Sequence, residues 1–167
     1  MLTDLDEAAS KVRTPAAKAF VLEAISCHRA GAQRAAVISI WTAACVDIFE
    51  KIRELAASGD PESIQLESRM DRAIASNSIT ARLEFEREIV GIAETKLELL
   101  SSNESGQLNR LREDRGVCAH PTFSDDGSQF TPTPELARMH IVQTCEALLR
   151  HPPTQGKALI EILVQRV

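Results

Sequence analysis

The sequence predicts an all-α protein built as an up-and-down bundle of about five helices with short loops. Hydrophobic residues make up 44% of the chain and aromatic residues only 4%, with one Trp and no Tyr, a balance that favours packed helices over sheets. Apolar residues recur at helical spacing in several stretches, which glycines and prolines separate. At 167 residues the chain is long enough to bury a sizeable core. We therefore predict one helical domain over 1–150, with 151–167 as a truncated tail or the start of a further element.

Two helices are predicted in the first third of the chain. Thr14 and Pro15 form a typical helix start, with a capping residue followed by proline in the first turn, and Gly31 follows the end of the helix that they open, over about 15–28. The next helix, over about 32–57, has a first half that is nearly all apolar or small. We expect it to be the central, most buried helix.

The later helices are separated by turn-forming residues. Asn77-Ser78 interrupts the helical pattern, and Thr80 is a candidate cap for the helix that follows. Ser101-Ser102-Asn103 ends that helix and is a candidate cap for the next one. The predicted helices span about 61–75, 81–100, a segment that runs to about 119, and 134–150, with a loop over 121–132.

Composition narrows the classes of function. The net charge of −5 argues against broad electrostatic binding of nucleic acid, although it leaves room for a small local basic site. No apolar run approaches the roughly 20 residues that a membrane span requires, and the acidic N-terminus lacks a hydrophobic signal core. We expect a cytoplasmic protein without a membrane partner.

The cysteines predict neither a disulfide framework nor a zinc site. They are widely spaced and form no C-x-x-C pair, which is typical of small buried thiols. Cys118 with His120, and Cys27 with His28, would supply only two ligands each, whereas structural zinc takes four. We therefore predict no metal and no cofactor. The four cysteines are Cys27, Cys45, Cys118 and Cys145.

The stretch R-G-V-C-A-H-P, from Arg115 to Pro121, is the main candidate site. On a helical wheel Arg115 falls in the middle of an apolar sector, so it needs a carboxylate, a chain terminus, a subunit interface or a bound phosphate as partner. His120 precedes proline, which disfavours the helical conformation, so the helix should end near Ala119 and His120 should turn back towards Arg115. The sector comprises Leu108, Leu111, Cys118 and Ala119.

This pair suits phosphodiester chemistry, because arginine binds phosphate oxygens bidentately and histidine exchanges a proton near neutral pH. The helix dipole would favour the protonated form of His120 at the C-terminal end. The structural alternative is an arginine that bonds helix-end carbonyls beside an exposed histidine that has no chemical role.

The stretch L-N-R-L-R-E-D-R-G-V-C-A-H-P resembles the signature of the HEPN superfamily (higher eukaryote and prokaryote nucleotide-binding domains), in which His follows Arg after four to six residues. Arg115 and His120 have four residues between them. The segment that runs from His28 to Ala56 is similar to the long second helix of prokaryotic members. The resemblance covers about 15–150. Many active members carry a polar residue, often Asn, directly after the Arg, and Gly116 departs from this pattern.

The resemblance implies an all-α domain that dimerises, so that two Arg–His motifs form one composite site. Active members are metal-independent endoribonucleases of the RNase type, in which the RNA 2′-OH attacks phosphorus to leave a 2′,3′-cyclic phosphate and a 5′-OH end. Arg115 and His120 are then the catalytic pair and RNA the substrate. Roles in toxin systems or phage defence, with an antitoxin or a fused domain as partner, are implied by family analogy alone.

Two other classes of function stay open. The first is a non-catalytic HEPN-like module for dimerisation or for binding RNA or nucleotides, which Gly116, the acidic charge and the scarcity of aromatic residues favour. The second is a structural bundle that supports a missing partner domain, which the apolar segment 157–167 favours.

Several other residues are candidates with less support for a functional role. Arg110 and Arg112 are candidate contacts for RNA phosphates, although a solvated charged helix face is the more common explanation for such residues. Asp47 is a candidate partner for Arg115 or Lys51. We read the remaining candidates as structural: His28 and Arg29 as helix caps, His140 as a residue at the edge of the core, and Trp41 as core.

Overall fold

The computed structural model describes residues 4–120 and 126–153, and within them the protein is all-α. These residues form seven α-helices, more than the predicted number, and no strand. Short π-helical turns directly follow the fifth and the seventh helix. The helices are α1 Leu5–Ser10, α2 Pro15–Arg29, α3 Gln33–Ala57, α4 Pro61–Ala75, α5 Ile79–Gly91, α6 Ser102–Ala119 and α7 Pro134–Thr144, and the π-helical turns are Ile92–Lys96 and Cys145–Leu149.

Capping residues fix where most of these helices begin. Asp60 Oδ2 accepts from Ser63 N at 2.9 Å at the start of α4. At the start of α6, Ser101 and Glu104 form a reciprocal capping box, with Ser101 Oγ accepting from Glu104 N at 3.1 Å and Glu104 Oε1 accepting from Ser101 N at 2.9 Å. The predicted role of the Ser101-Ser102-Asn103 segment as a cap is thus confirmed at its first residue.

Two local predictions are corrected, and one helix was not predicted. Thr14 occupies the N-cap position of α2, but its hydroxyl makes no capping hydrogen bond. The cap of α5 is Ser78, whose Oγ accepts from Ala81 N at 3.2 Å, so α5 begins before Thr80. The helix α1 was not predicted. It is a single short helix that Asp4 caps and that buries Leu5 on one face, too short for a periodic pattern to identify.

The chain divides into two compact units, and the division falls within α3 and α6. The first unit comprises 4–47 with 106–120 and 126–151, and the second comprises 48–105 with 152–153, counting described residues. The prediction that α3 is a buried helix is confirmed, and Trp41 belongs to the core as expected. The fully enclosed residues of α3 include Ala36, Val37, Ile40, Ala43, Ala44, Ile48 and Ile52.

Among the helices in the described part of the chain, none combines the length and the apolar character needed to cross a membrane.

Candidate functional site

Helix α6 carries Arg115 and ends directly before His120. Its predicted apolar sector is confirmed at Leu108, Leu111 and Cys118, which are all buried. Ala119 is exposed instead, because it is the last residue of the helix. Arg115 is half-buried on the same helix.

His120 lies where the sequence predicts it, just beyond the end of α6. The helix stops at Ala119, and His120 is exposed in a bend immediately after it. A proline disfavours the helical conformation of the residue before it, which explains why the helix stops here. Pro121 itself lies outside the described residues, together with 122–125. That His120 and Arg115 face one cleft stays a prediction.

Arg34 holds the C-terminal end of α6 in place. From the first turn of α3, its Nη1 donates to the backbone oxygen of Cys118 at 3.2 Å and its Nη2 donates to the backbone oxygen of Phe130. The last carbonyls of a helix lack partners within the helix, so a guanidinium at this place satisfies one of them and matches the negative end of the helix dipole. Arg34 therefore ties the last turn of α6 to the segment that precedes α7.

A second clamp acts one residue before Arg115. His140 Nε2 and Asp114 Oδ2 are 2.7 Å apart, and His140, on α7, is only 1% exposed. The sequence placed His140 at the edge of the core. The structure instead buries His140 completely and leaves Asp114 half-buried against it. A buried imidazole needs such a partner, and the pair fixes the turn of α6 that contains Arg115.

Both clamps were missed by reasoning from the sequence. For Arg34 the signal in the sequence was a charged residue directly before the apolar run of α3. Helical spacing does not connect this residue to Cys118, which lies 84 residues later. For His140 the signal was a polar residue on an otherwise buried helix face, but its partner lies 26 residues earlier in the chain.

The two arginines proposed to contact RNA differ in environment. Arg110 is exposed on α6, as a phosphate contact requires. Arg112 is half-buried, and its Nε is enclosed without a hydrogen-bond partner among the described residues. Arg110 is therefore the more accessible of the two for a ligand in solution.

Gly116 is not required by packing. A Cβ atom added at this position would meet no atom within 4 Å, and the residue lies within the regular helix. The helix therefore has room for a side chain directly after Arg115.

The thiols near the site are poorly suited to nucleophilic chemistry. Burial raises the pKa of Cys118, with the Asp114 carboxylate adding to the effect and the Arg34 guanidinium opposing it. Burial raises the pKa of Cys145 to about 12. Thiols with raised pKa values hold their protons at neutral pH, and it is the thiolate that reacts.

No cluster of three or more potential metal ligands occurs among the residues that the structure describes. His28, one member of a suggested ligand pair, joins α2 to α3. Its Nδ1 lies 2.8 Å from Gln33 Oε1, and Gln33 Nε2 donates to the His28 backbone oxygen at 3.0 Å. Arg29 forms an exposed ion pair with Asp6 at 3.0 Å rather than capping the helix.

Asp47 is completely buried on α3. Its predicted pairing with Arg115 or with Lys51 stays a prediction.

Comparison with known proteins gives no assignment, because no family model, curated protein or solved structure matches this chain.

Proposed function

We propose that this protein is a metal-independent endoribonuclease that acts as a homodimer, with Arg115 and His120 as its catalytic pair. The observation that supports this proposal is an exposed His120 directly after the end of α6. Near Arg115 this helix is held by two contacts, that of Arg34 with the Cys118 oxygen and that of His140 with Asp114. A site for phosphoryl transfer needs accessible reactive groups on rigid supports, since catalysis depends on positioning. The resemblance of residues 108–121 to the HEPN signature supports the same reading.

The chemistry follows from the side chains. The 2′-OH of RNA attacks the adjacent phosphorus and the bond to the 5′ oxygen breaks, which leaves a 2′,3′-cyclic phosphate and a 5′-OH end. One imidazole accepts the 2′-OH proton while a second protonates the leaving oxygen. A single chain offers only one histidine in the motif, so a dimer would supply both. The Arg115 guanidinium would neutralise the charge that develops on the phosphorane oxygens.

The direct test is RNA cleavage in excess chelator by the wild-type chain and by His120→Ala and Arg115→Ala variants. We expect a loss of about 10²–10⁴-fold for the histidine and about 10²–10³-fold for the arginine. The product ends should be cyclic phosphate and 5′-OH. His151→Ala is the matched control, because His151 is also a histidine of the first unit but is not part of the motif, and this variant should cleave like the wild type.

Absence of cleavage by a folded dimer on both structured and single-stranded RNA would contradict the proposal, as would cleavage that survives in both motif variants. The composite site adds a sharper requirement. An excess of the His120→Ala chain should suppress wild-type activity beyond simple dilution, because mixed dimers hold only one imidazole. Activity that is proportional to the wild-type chain alone would exclude a shared site.

The second candidate function is a non-catalytic module that binds RNA or nucleotides. Gly116 favours it, since the helix accommodates a side chain there and yet lacks the polar group found in many active members. If Gly116→Asn creates cleavage in an otherwise inactive protein that still binds RNA, the module is the correct description of the natural chain.

A further inference from the structure

The second unit contains a cleft with an apolar floor. It has a volume of about 390 Å³, within the range of pockets that bind small molecules. Helices α3, α4 and α5 all contribute to its walls, so its shape depends on three packed elements rather than on a loop. The apolar lining residues are Phe49, Met70, Ala73, Ile74 and Phe85.

Two aromatic rings make the floor rigid. The ring centroids of Phe49 and Phe85 are 6.0 Å apart with planes at 39°, a tilted arrangement that is favourable for aromatic pairs. Phe85 is buried, and the guanidinium of Arg69 lies 5.2 Å from its centroid. The cleft is therefore a formed feature of the unit.

The apolar character continues onto the surface beside the cleft. Ile74, which lines the cleft, is 52% exposed. On α5, Ile79 is 72% exposed, and it shares one helix face with the lining residues Arg82 and Glu86 at spacings of three and seven. Exposed apolar side chains around a concave site indicate a binding surface, because covering them with a ligand removes apolar area from water and lowers the free energy.

One arginine of the cleft retains donors for a ligand. Arg82 Nη2 donates to the Ile74 backbone oxygen at 2.8 Å, and no other described group bonds the rest of its guanidinium. Arg53, the other lining arginine, is held by Asp71 at 2.9 Å and by Glu67 at 3.5 Å. The anchored guanidinium of Arg82 is therefore the positive group that the cleft presents.

We propose that this cleft binds a small monocarboxylic acid with an apolar alkyl or aromatic body. The body would cover the phenylalanine floor and Ile74, and the carboxylate would accept charge-assisted hydrogen bonds from Arg82. Glu86, one turn further along α5, disfavours a second negative charge, so a single carboxylate is the matching head group. This site is independent of the Arg115–His120 proposal.

The test is calorimetric titration of the full chain with octanoate, with 1-octanol as the neutral analogue. We expect saturable binding of octanoate to one site, and binding by octanol that is weaker by about fivefold to tenfold. Arg82→Gln should weaken octanoate binding by a similar factor and leave octanol unchanged. Glu86→Gln should strengthen octanoate binding. Arg87→Gln, an exposed arginine of the same helix outside the cleft, is the matched control.

A second pair of variants tests the location. Ala73→Trp should fill the cleft and abolish binding of both ligands, whereas Ala75→Trp, on an exposed position of the same helix, should not. Circular dichroism establishes that both variants fold. Failure of octanoate to saturate, or retention of its binding in a folded Ala73→Trp protein, would overturn the proposed site. Equal binding of octanol, insensitive to Arg82→Gln, would overturn its preference for a carboxylate.

Discussion

The polar contacts around α6 in the first unit differ from the ion pairs described in the second unit. In the first unit the polar contacts at α6 are part-buried and join distant parts of the chain: Asp114 with His140, and Arg34 with backbone oxygens 84 and 96 residues away. Several ion pairs of the second unit lie on its surface. They are Arg53 with Asp71 and Glu67, Arg69 with Glu88, and Lys96 with Glu62, whose side chains are roughly one third to one half exposed.

This difference indicates what each of these two sets of contacts accomplishes. Enclosed polar groups must be paired, so they fix geometry and are costly to remove. Exposed pairs are solvated in the unfolded chain as well, so they contribute little to stability. The proposed catalytic site lies on the first unit, beside these contacts of α6, and the proposed ligand-binding cleft lies on the second.

The largest effect on stability is expected at His140. His140→Ala removes the partner of Asp114 and leaves a cavity in the core, so we expect the free energy of unfolding to fall by about 2–4 kcal/mol in urea titrations. His120→Ala, at an exposed position at the end of α6, should change it by less than about 0.5 kcal/mol. Equal losses in both variants would contradict the distinction between a clamp and a reactive group.

Arg34 is expected to have the next largest effect. Arg34→Gln removes charged donors from two backbone oxygens, and we expect a loss of about 1–3 kcal/mol. Hydrogen exchange of the amides at the end of α6 should accelerate as its last turn loosens. Arg110→Gln, on an exposed position of the same helix, should leave both measurements close to wild type. Unchanged exchange in Arg34→Gln would show that the clamp does not hold this turn.

The buried thiols predict a dependence of stability on pH. Burial raises the pKa of Cys145 from 9.0 to about 12, so the folded state retains a proton that the unfolded chain releases. The stabilising contribution is complete below about pH 9 and is lost as the pH rises towards 12, which lowers stability by about 1 kcal/mol at pH 10. Cys145→Ala should flatten this dependence, whereas Cys27→Ala, at a half-buried position, should not. If stability falls equally with pH in the wild type, Cys145→Ala and Cys27→Ala, Cys145 is not the origin of the pH dependence.

The smallest effect is expected at the surface pairs of the second unit. The carboxylates of Asp71 and, to a smaller extent, Glu67 raise the pKa of Arg53, so this arginine stays charged throughout the accessible pH range. A double-mutant cycle between Arg53 and Asp71 should nevertheless give a coupling of about 0–1 kcal/mol that decreases with added salt. Coupling well above this range, at high salt, would show that the second unit also relies on its charges.

Local sequence patterns predicted much of the helical framework. The start of α4 at Pro61 and of α7 at Pro134 follows from proline in the first turn, and the end of α6 at Ala119 follows from Pro121. An error occurred at the start of α5, where Ser78 and Thr80, two positions apart, are both able to cap and the local sequence does not decide between them.

The candidate site was only partly predictable. The placement of Arg115 on α6 follows from helical periodicity, and that of His120 just beyond the helix follows from Pro121. The burial of His140 and its contact with Asp114 instead depend on how α7 packs against α6. The role of Arg34 depends in the same way on the position of Cys118, far away in the sequence.

The sequence by itself therefore determined that the protein is all-α and determined where α6 ends, because caps, prolines and periodic apolar residues act over a few neighbouring positions. Only the tertiary structure decided which polar residues are enclosed and which face solvent. It also decided that Phe49 and Phe85 share a cleft floor beside Arg82. The physical reason is that these contacts join residues from different helices, and no local spacing specifies which helix faces which.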